Sequence, residues 1–363
     1  MRSCVRVFAA LLVSAYGMTA VVPAAAQVRA LPANEAPGVD RCAAPAASAA
    51  VAPPRDLWAA SRVSWEVEPG PTVAGETLSD VYLLPDETTL DQVGPADDWL
   101  PPRHHRQLAR SPWTLQILPD GLLYPAYLAG GRESRFASQW VHEDGWGWLW
   151  DVALGGHVGI LRYGTTDKRY PEGWQIDIEG AGFPRLDLEH ERDLVSADFR
   201  FGVPLTVRRG RWEAKLAYYH LSSHLGDELL ERFPEMRRIN YTRDVIVAGV
   251  AVRPNSFTRV YGEVGYAFYT GGGSQPWEIQ FGIDLSSLEP TDLRGTPFFA
   301  INGRLREEVD FGGNMTVQTG WQWRGHTGHL FRLGLHYFNG KSDQYEFFTQ
   351  HEEQLGVGLW YDY

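Results

Sequence analysis

Hydrophobic and polar residues alternate along the chain from about residue 112 to the C-terminus. One stretch places Trp277, Ile279 and Phe281 on one parity, with Glu278 and Gln280 between them. Successive side chains of a β-strand point to opposite faces, so a period of two predicts strands with one apolar and one polar face. The same alternation returns in segments 195–203, 260–268, 314–323 and 331–337.

Twelve alternating segments can be counted, separated by turn-forming Gly, Pro, Asn and Asp residues. The predicted strands lie near residues 121–130, 148–163, 173–181, 193–207, 211–223, 236–252, 258–270, 276–285, 297–307, 313–324, 329–339 and 354–363. Segments of about ten residues with this pattern, in an even number, are typical of single-chain bacterial outer-membrane barrels. We therefore predict an all-β fold, a transmembrane antiparallel β-barrel of about 12 strands. A secreted soluble β-sandwich is the alternative.

The predicted barrel occupies residues 112–363, and the residues before it have a different character. Residues 1–26 combine a positive flank, an apolar run and small residues near Ala26, which is the layout of a cleaved secretory signal peptide. A membrane anchor is the alternative to this interpretation. Residues 27–111 begin rich in Ala and Pro and contain many breakers, which predicts a periplasmic segment of low order.

The last predicted strand ends the chain on an aromatic residue. Its apolar parity consists of Leu355, Val357, Leu359, Tyr361 and Tyr363. An amphipathic C-terminal strand of this kind resembles the insertion signal of bacterial outer-membrane barrels. That resemblance implies location in the outer membrane, with the outer-membrane assembly machinery as a partner. An ordinary half-buried strand of a soluble sheet is the alternative.

Composition agrees with a barrel and limits the partners. The net charge of -12 argues against nucleic acid. No second long apolar segment follows the signal peptide, so no helical span is predicted. The chain is 13% aromatic with a mean hydropathy of -0.29, as expected when half of each strand faces lipid and half faces a polar lumen. The oligomeric state is left open.

Residues 218–228, YYHLSSHLGDE, concentrate histidine, serine and acidic residues at the end of one predicted strand. With both termini in the periplasm, this strand runs outward and its longer following loop lies at the cell exterior. Glu213 and Lys215 mark the lumen parity. His220 and Ser222 therefore fall on the lipid-facing parity near the outer leaflet, where polar groups are costly and indicate function.

This motif resembles the H-x-S-N segment of outer-membrane phospholipase A and of the lipid A deacylase barrels. The resemblance implies that His220 is the base, Ser222 the nucleophile and Asn240, in the following RRINYTRD, the group that orients the histidine. Such a trio is chemically coherent, because a base must take the serine proton and a third group must fix the base's tautomer. Ser223 and His224 stand where the phospholipase has Asn and Gly. Glu228 or Glu235 could take the place of Asn240, as in the deacylases.

Two other interpretations of the motif remain open. The first is a metal site formed by His220 and His224 with Asp227 or Glu228; separately, the acidic outer rim with Glu307 and Asp310 is a candidate to bind calcium or to bridge lipopolysaccharide through divalent ions. The second is a hydrated polar rim without chemistry. The candidate metal ligands are His224, Asp227, Glu228, Glu307 and Asp310.

Over most of its length the chain resembles an uncharacterised family of bacterial outer-membrane proteins. The resemblance runs from LLPDGLLYPAYLAG to the C-terminus and includes EGWQIDIEGAGFPRLDLE, RDLVSADFRFGVPLT and YGEVGYAFYT. It implies fold and location. Two functional hypotheses follow: a lipid hydrolase acting on phospholipid or lipid A at the outer leaflet, or a non-enzymatic barrel serving as a narrow pore or as a structural or assembly component.

Overall fold

The structure, a computed structural model, describes residues 112–168 and 170–363. Within this part the chain folds into a closed antiparallel β-barrel of 12 strands, which confirms the predicted fold class and strand number. The predicted signal peptide, 1–26, and the predicted periplasmic segment, 27–111, lie outside the described residues.

Thirteen strands make up the sheet, because a short first strand adds to the twelve of the barrel. A six-residue helix, α1 (Asp227–Arg232), follows the sixth strand. Among the described residues, no helix is long and apolar enough to cross a membrane. The strands are β1 (Thr114–Ile117), β2 (Phe136–Glu143), β3 (Gly147–Gly164), β4 (Gly173–Asp187), β5 (Asp193–Arg209), β6 (Trp212–Leu225), β7 (Thr242–Val252), β8 (Thr258–Gly271), β9 (Trp277–Ser286), β10 (Thr296–Arg306), β11 (Gly313–Arg324), β12 (Leu330–Lys341) and β13 (His351–Asp362).

Closure of the barrel depends on β2 and β3. β2 pairs with the last strand, β13, on one side and with β3 on the other, and β3 also pairs with β4. The lower end of the barrel is the end at which β13 finishes. There β1 pairs with β3, with Thr114 opposite Gly164, and continues the wall below β2. Closure satisfies the backbone groups that an open sheet edge would expose to lipid.

The outside of the wall is apolar along one parity of each strand. Leu216 on β6, Val250 on β7 and Leu333 on β12 are 54%, 58% and 50% exposed. Their sequence neighbours point inward and are buried or nearly so, as the alternation predicts. Such a surface is unstable in water and stable in a bilayer, so it identifies the outer face as the lipid-facing one.

Buried ion pairs fill the lumen. Glu213 on β6 lies 3.0 Å from Arg208 Nη2, 2.7 Å from Arg253 Nε and 2.9 Å from Arg259 Nε. Glu278 is similarly paired, 2.6 Å from Arg304 Nη2. Two cavities within the described barrel measure about 50 and 40 Å³, which is space for a few water molecules.

The segment between β1 and β2, residues 118–135, enters the lumen, and we call it the lumen segment. A strand over 121–130 was the sequence expectation, and it is wrong. Tyr124 and Tyr127 are buried, and the Tyr127 hydroxyl donates to Glu263 Oε2 at 2.7 Å. Pro119 and Pro125 cannot donate the ladder hydrogen bonds that a central strand requires, so the segment leaves the wall.

The upper end is covered by the β12–β13 connection, residues 342–350, which we call the upper cap. Tyr345 at its centre is fully buried, and its ring centroid lies 4.7 Å from that of Tyr241. The Glu346 carboxylate accepts the backbone N–H groups of Ile239 and Asn240, both at 2.9 Å. The lumen is therefore occupied by the lumen segment and closed above by the upper cap.

Candidate functional site

Four polar side chains form a cluster on the outside of the barrel, on two neighbouring strands. Tyr218, His220 and Ser222 follow one another at every second position of β6, and Asp244 lies on β7. Register places His220 opposite Asp244 and Ser222 opposite Thr242. We call these four residues the lipid-facing cluster. The predicted placement of His220 and Ser222 on the outer face agrees with the exposure of Trp212 and Leu216 on the same parity.

Asp244 holds the histidine in place. Its Oδ1 lies 2.9 Å from His220 Nδ1 and accepts the Tyr218 hydroxyl at 2.8 Å. The His220 side chain is 43% exposed, whereas that of Asp244 is 21% exposed. With Nδ1 directed at the carboxylate, Nε2 is the ring nitrogen left to act on another molecule.

The Ser222 hydroxyl has no hydrogen-bond partner among the described residues. It shares the face of His220, because residues two apart on a strand point the same way, and it stands opposite Phe199 of β5. Phe201 stands opposite His220. Both phenylalanines are 51% exposed, so the serine and histidine are bordered by apolar surface.

The structure does not bring Asn240 to His220. Asn240 precedes β7, adopts a left-handed backbone with φ of 51°, and is exposed in the loop between α1 and β7. Its backbone N–H is bound by Glu346 of the upper cap. The position beside the imidazole belongs to Asp244 instead. Glu228 and Glu235, the other candidates for that position, are exposed residues of the same upper connection.

Ser223 belongs to the interior. Its side chain is fully buried, and its hydroxyl donates to Asp198. Asp198 in turn lies 3.0 Å from Arg132 Nη2. The backbone N–H of Ser223 is used in pairing with the Tyr241 carbonyl oxygen at 2.9 Å. Ser223 therefore stabilises the wall from within, and the two adjacent serines face opposite sides of it.

The candidate metal ligands are dispersed. His224 is exposed against the ring of Phe199, and Asp227 pairs with Arg238. Glu307 accepts the Trp277 backbone N–H at 3.0 Å, and Asp310 lies in a tight turn with φ of 57°. Among residues 112–168 and 170–363, no three histidine, cysteine or acidic side chains form a group that could hold a metal ion. These residues do not fit a calcium site.

Asp244, like Tyr218, is a residue of this site to which the sequence alone assigned no role. Two signals for it exist in the chain: it lies within the RRINYTRD segment, and it shares its parity with the lipid-facing Ile246 and Val250. A carboxylate on a lipid-facing parity is costly without a partner, which is a reason to look for one on the adjacent strand.

The closed wall, the apolar outer face and the polar, filled interior define an outer-membrane β-barrel. Within that class, the chain belongs to the family described as "Protein of unknown function (DUF1207)", whose model matches residues 105–363. This confirms the resemblance to an uncharacterised outer-membrane family. No curated protein matches the chain.

Several solved barrel structures are similar to the chain at low identity. Outer membrane phospholipase A from Escherichia coli is 10% identical, with 65% of this chain and 90% of that chain covered at a TM-score of 0.43. The phospholipase dimer of Salmonella typhi with bound calcium is 9% identical, with 66% and 91% covered at 0.44. KdgM porin is 9% identical, with 63% and 98% covered at 0.36. We draw nothing about activity from these likenesses.

Proposed function

We propose that this barrel is a lipid ester hydrolase of the outer membrane, with Ser222 as nucleophile, His220 as base and Asp244 as the orienting acid. The observation that carries the proposal is the 2.9 Å contact of His220 Nδ1 with Asp244 Oδ1 on the lipid-facing side, with Ser222 next on the same face. Asp244 replaces Asn240 in the role that the sequence suggested.

Each member of the cluster has a chemical task in this proposal. Asp244 accepts Nδ1–H and fixes the tautomer in which Nε2 carries the free lone pair. As the Ser222 oxygen bonds to the ester carbonyl carbon, Nε2 takes the hydroxyl proton and then passes it to the departing alcohol. Water next attacks the acyl-serine by the same route, releasing the fatty acid. The Tyr218 hydroxyl, bound to the same oxygen of Asp244, keeps that carboxylate directed at the imidazole.

Location determines the substrate class. The cluster opens to lipid, not to the filled lumen, so a soluble ester would have no bound position beside it. Phe199 and Phe201 offer apolar surface next to Ser222 and His220. The β6 members of the cluster, Tyr218, His220 and Ser222, lie in the upper half of that strand, seven, five and three residues before it ends at Leu225. With the lower end in the periplasm, this is outer-leaflet depth, which favours an acyl ester of phospholipid or of lipid A.

A non-enzymatic structural or assembly role is the second candidate. It is favoured by the Ser222 hydroxyl, which makes no hydrogen bond to His220 among the described residues. The narrow-pore form of this alternative receives no support, because the lumen segment and the upper cap occupy the described interior.

The test is an assay of the purified barrel on phospholipid and on lipid A in detergent micelles, with and without calcium. We expect Ser222→Ala, His220→Ala and the double variant to lose activity equally, by about 10⁶-fold, because members of one catalytic unit are non-additive. A sulfonyl fluoride should label the wild type more than His220→Ala, because His220 activates the serine. It should not label Ser222→Ala at all. Each variant must show the heat-modifiable gel migration of a folded barrel.

Thr242→Val is the matched control. Thr242 stands opposite Ser222 on the same face, and its hydroxyl donates to the Leu221 carbonyl oxygen at 3.1 Å. Valine keeps the shape and removes the hydroxyl, so activity should stay within about twofold. A folded wild type that releases no fatty acid from either lipid and takes no label would leave the structural role as the better account.

A further inference from the structure

The cavity of about 50 Å³ lies at the lower end of the lumen, and we call it the lower cavity. It is on the opposite end of the barrel from the long connection that carries α1, and it shares no residue with the lipid-facing cluster. It is surrounded by the ends of β7, β9 and β11 and by the beginnings of β8 and β12, and the lumen segment lies on its inner side. The lining residues with charged or hydroxyl groups are Arg253, Arg259, Arg324, Asp284, Ser286, Asp362 and Tyr363.

Both carboxylates of the lower cavity already have arginine partners. Asp362 Oδ2 accepts from Arg332 Nη2 at 3.0 Å, and its other oxygen lies 3.2 Å from Arg135 Nε. Asp284 is 3.6 Å from Arg259 Nη1 and accepts the Leu128 backbone N–H at 3.3 Å. Neither carboxylate lies within 4 Å of the other two lining arginines, Arg253 and Arg324.

Arg324 is bound only through neutral oxygens. Its guanidinium donates to the carbonyl oxygens of Ser287 and Gly328, at 2.8 and 3.2 Å, and to the Ser286 hydroxyl at 3.0 Å. No carboxylate lies within salt-bridge distance of it among the described residues. Its positive charge therefore faces the lower cavity without a direct salt-bridge partner in the described chain, although Asp284 and Asp362 line the same cavity.

Arg253 has free donors at the same place. It is 6% exposed, and its Nε donates to Glu213, a carboxylate that it shares with Arg208 and Arg259. Its two Nη groups have no hydrogen-bond acceptor among the described residues. These Nη groups are not among the buried unsatisfied atoms of the described chain, so they are open to the lower cavity, and an anion there would accept from them.

We propose that the lower cavity binds a tetrahedral oxyanion of the phosphate or phosphomonoester class, free or carried by a lipid headgroup. Arg253 and Arg324 supply the charge and the planar donor pairs that suit phosphate oxygens. The Ser286 hydroxyl already donates to Gln322 Oε1 at 2.7 Å and accepts from Arg324, so the guanidinium groups are the donors to the anion. The volume is space for about three or four water molecules, which matches one such anion and excludes a nucleotide. The site is independent of the proposed lipid hydrolysis.

The test measures the midpoint of thermal unfolding of the folded barrel in detergent, by heat-modifiable migration and by circular dichroism. We expect inorganic phosphate to raise the midpoint by about 3 °C relative to chloride at equal ionic strength. The shift should disappear in Arg253→Gln and Arg324→Gln and persist in Arg294→Gln, an exposed arginine near the same end. An equal response to phosphate and chloride, or an unchanged shift in both cavity variants, would overturn the proposal.

Ser286→Asp keeps the test decisive if the arginine variants fail to fold. A carboxylate at this position would supply the missing counter-charge, so its midpoint should rise without phosphate and no longer respond to phosphate. A lower midpoint with the phosphate response intact would contradict the site. Glycerol 3-phosphate and a short-chain phosphatidic acid then distinguish the sources: a shift with both indicates a soluble phosphomonoester, and a shift with the lipid alone indicates a headgroup.

Discussion

Two carboxylates on adjacent strands of one wall, Glu213 on β6 and Asp244 on β7, are held in opposite ways. Glu213 points into the lumen, is 2% exposed and contacts three guanidinium groups at 2.7–3.0 Å. Asp244 points to lipid, and its hydrogen-bond donors are an imidazole and a phenol, at 2.9 and 2.8 Å. Neither partner of Asp244 carries the permanent charge of an arginine.

This difference distinguishes a carboxylate that stabilises the barrel from one that is suited to take part in a reaction. The pairs around Glu213 hold fixed charges against one another in a space with little water, and they have no group left to transfer a proton. Asp244 instead orients a base whose second nitrogen is free, beside a hydroxyl that has no hydrogen-bond partner in the described chain. Buried charge in the lumen maintains the barrel, whereas the sparser polar cluster outside is where we locate function.

The largest effect that we expect from a substitution of either carboxylate is the loss of hydrolysis when Asp244 is changed. Asp244→Asn leaves the shape but can hold the imidazole in the wrong tautomer, so hydrolysis should fall by about 10³–10⁴-fold with folding intact. Asn240→Gly is the matched control, because glycine keeps the left-handed backbone and removes only the amide. Activity should remain within twofold in that variant. Loss of activity in Asn240→Gly with retention in Asp244→Asn would return the orienting role to Asn240.

Substitution of the lumen carboxylate, Glu213, should have the opposite effect: it should lower the stability of the barrel and remove no catalytic group. Glu213→Gln leaves three buried arginines without their shared anion, which should cost about 3–5 kcal/mol and lower the unfolding midpoint by about 10 °C. Glu353→Gln, on an exposed position of β13, should change the midpoint by no more than about 1–2 °C. Equal midpoints for the two variants would show that the lumen pairs are dispensable.

The sequence predicts most of the wall because period-two alternation is a direct consequence of a lipid face and a polar face. β11 has the predicted bounds, 313–324, and β8 and β9 differ from theirs by one residue. β2 escapes the pattern because polar residues lie on both of its faces, with Ser138 and His142 outward and Gln139 and Glu143 inward. Its place in the count is taken by 121–130, most of whose apolar residues are buried in the lumen instead.

The candidate site is predicted only in part, because some of its features depend on one strand alone and others depend on contacts between distant parts of the chain. Parity along one strand is local, so His220 and Ser222 can be assigned to the lipid face from β6 alone. The partner of the imidazole depends on register between β6 and β7, which the 16-residue connection 226–241 sets through its own folding. Contacts of that connection with the upper cap, 342–350, cannot be read from residue types. The resemblance of RRINYTRD to the phospholipase strand implies Asn240, whereas register brings Asp244 to the imidazole.

The smallest expected effect concerns the upper cap and depends on pH. Burial raises the pKa of the Asp343 carboxyl, but the charges of Arg132, Arg304 and Arg306 outweigh burial and hold the pKa below its usual 3.8. A carboxyl with a lowered pKa in the folded state stabilises that state above its unfolded pKa and loses the contribution as pH falls through the folded value. The unfolding midpoint of wild type should therefore exceed that of Asp343→Asn by about 2–4 °C at pH 6, and the difference should shrink below pH 3. A difference that is constant from pH 6 to pH 2.5 would mean that the ionised Asp343 carboxylate does not hold the cap, and that the upper closure rests on the packing of Tyr345 and the hydrogen bonds of Glu346.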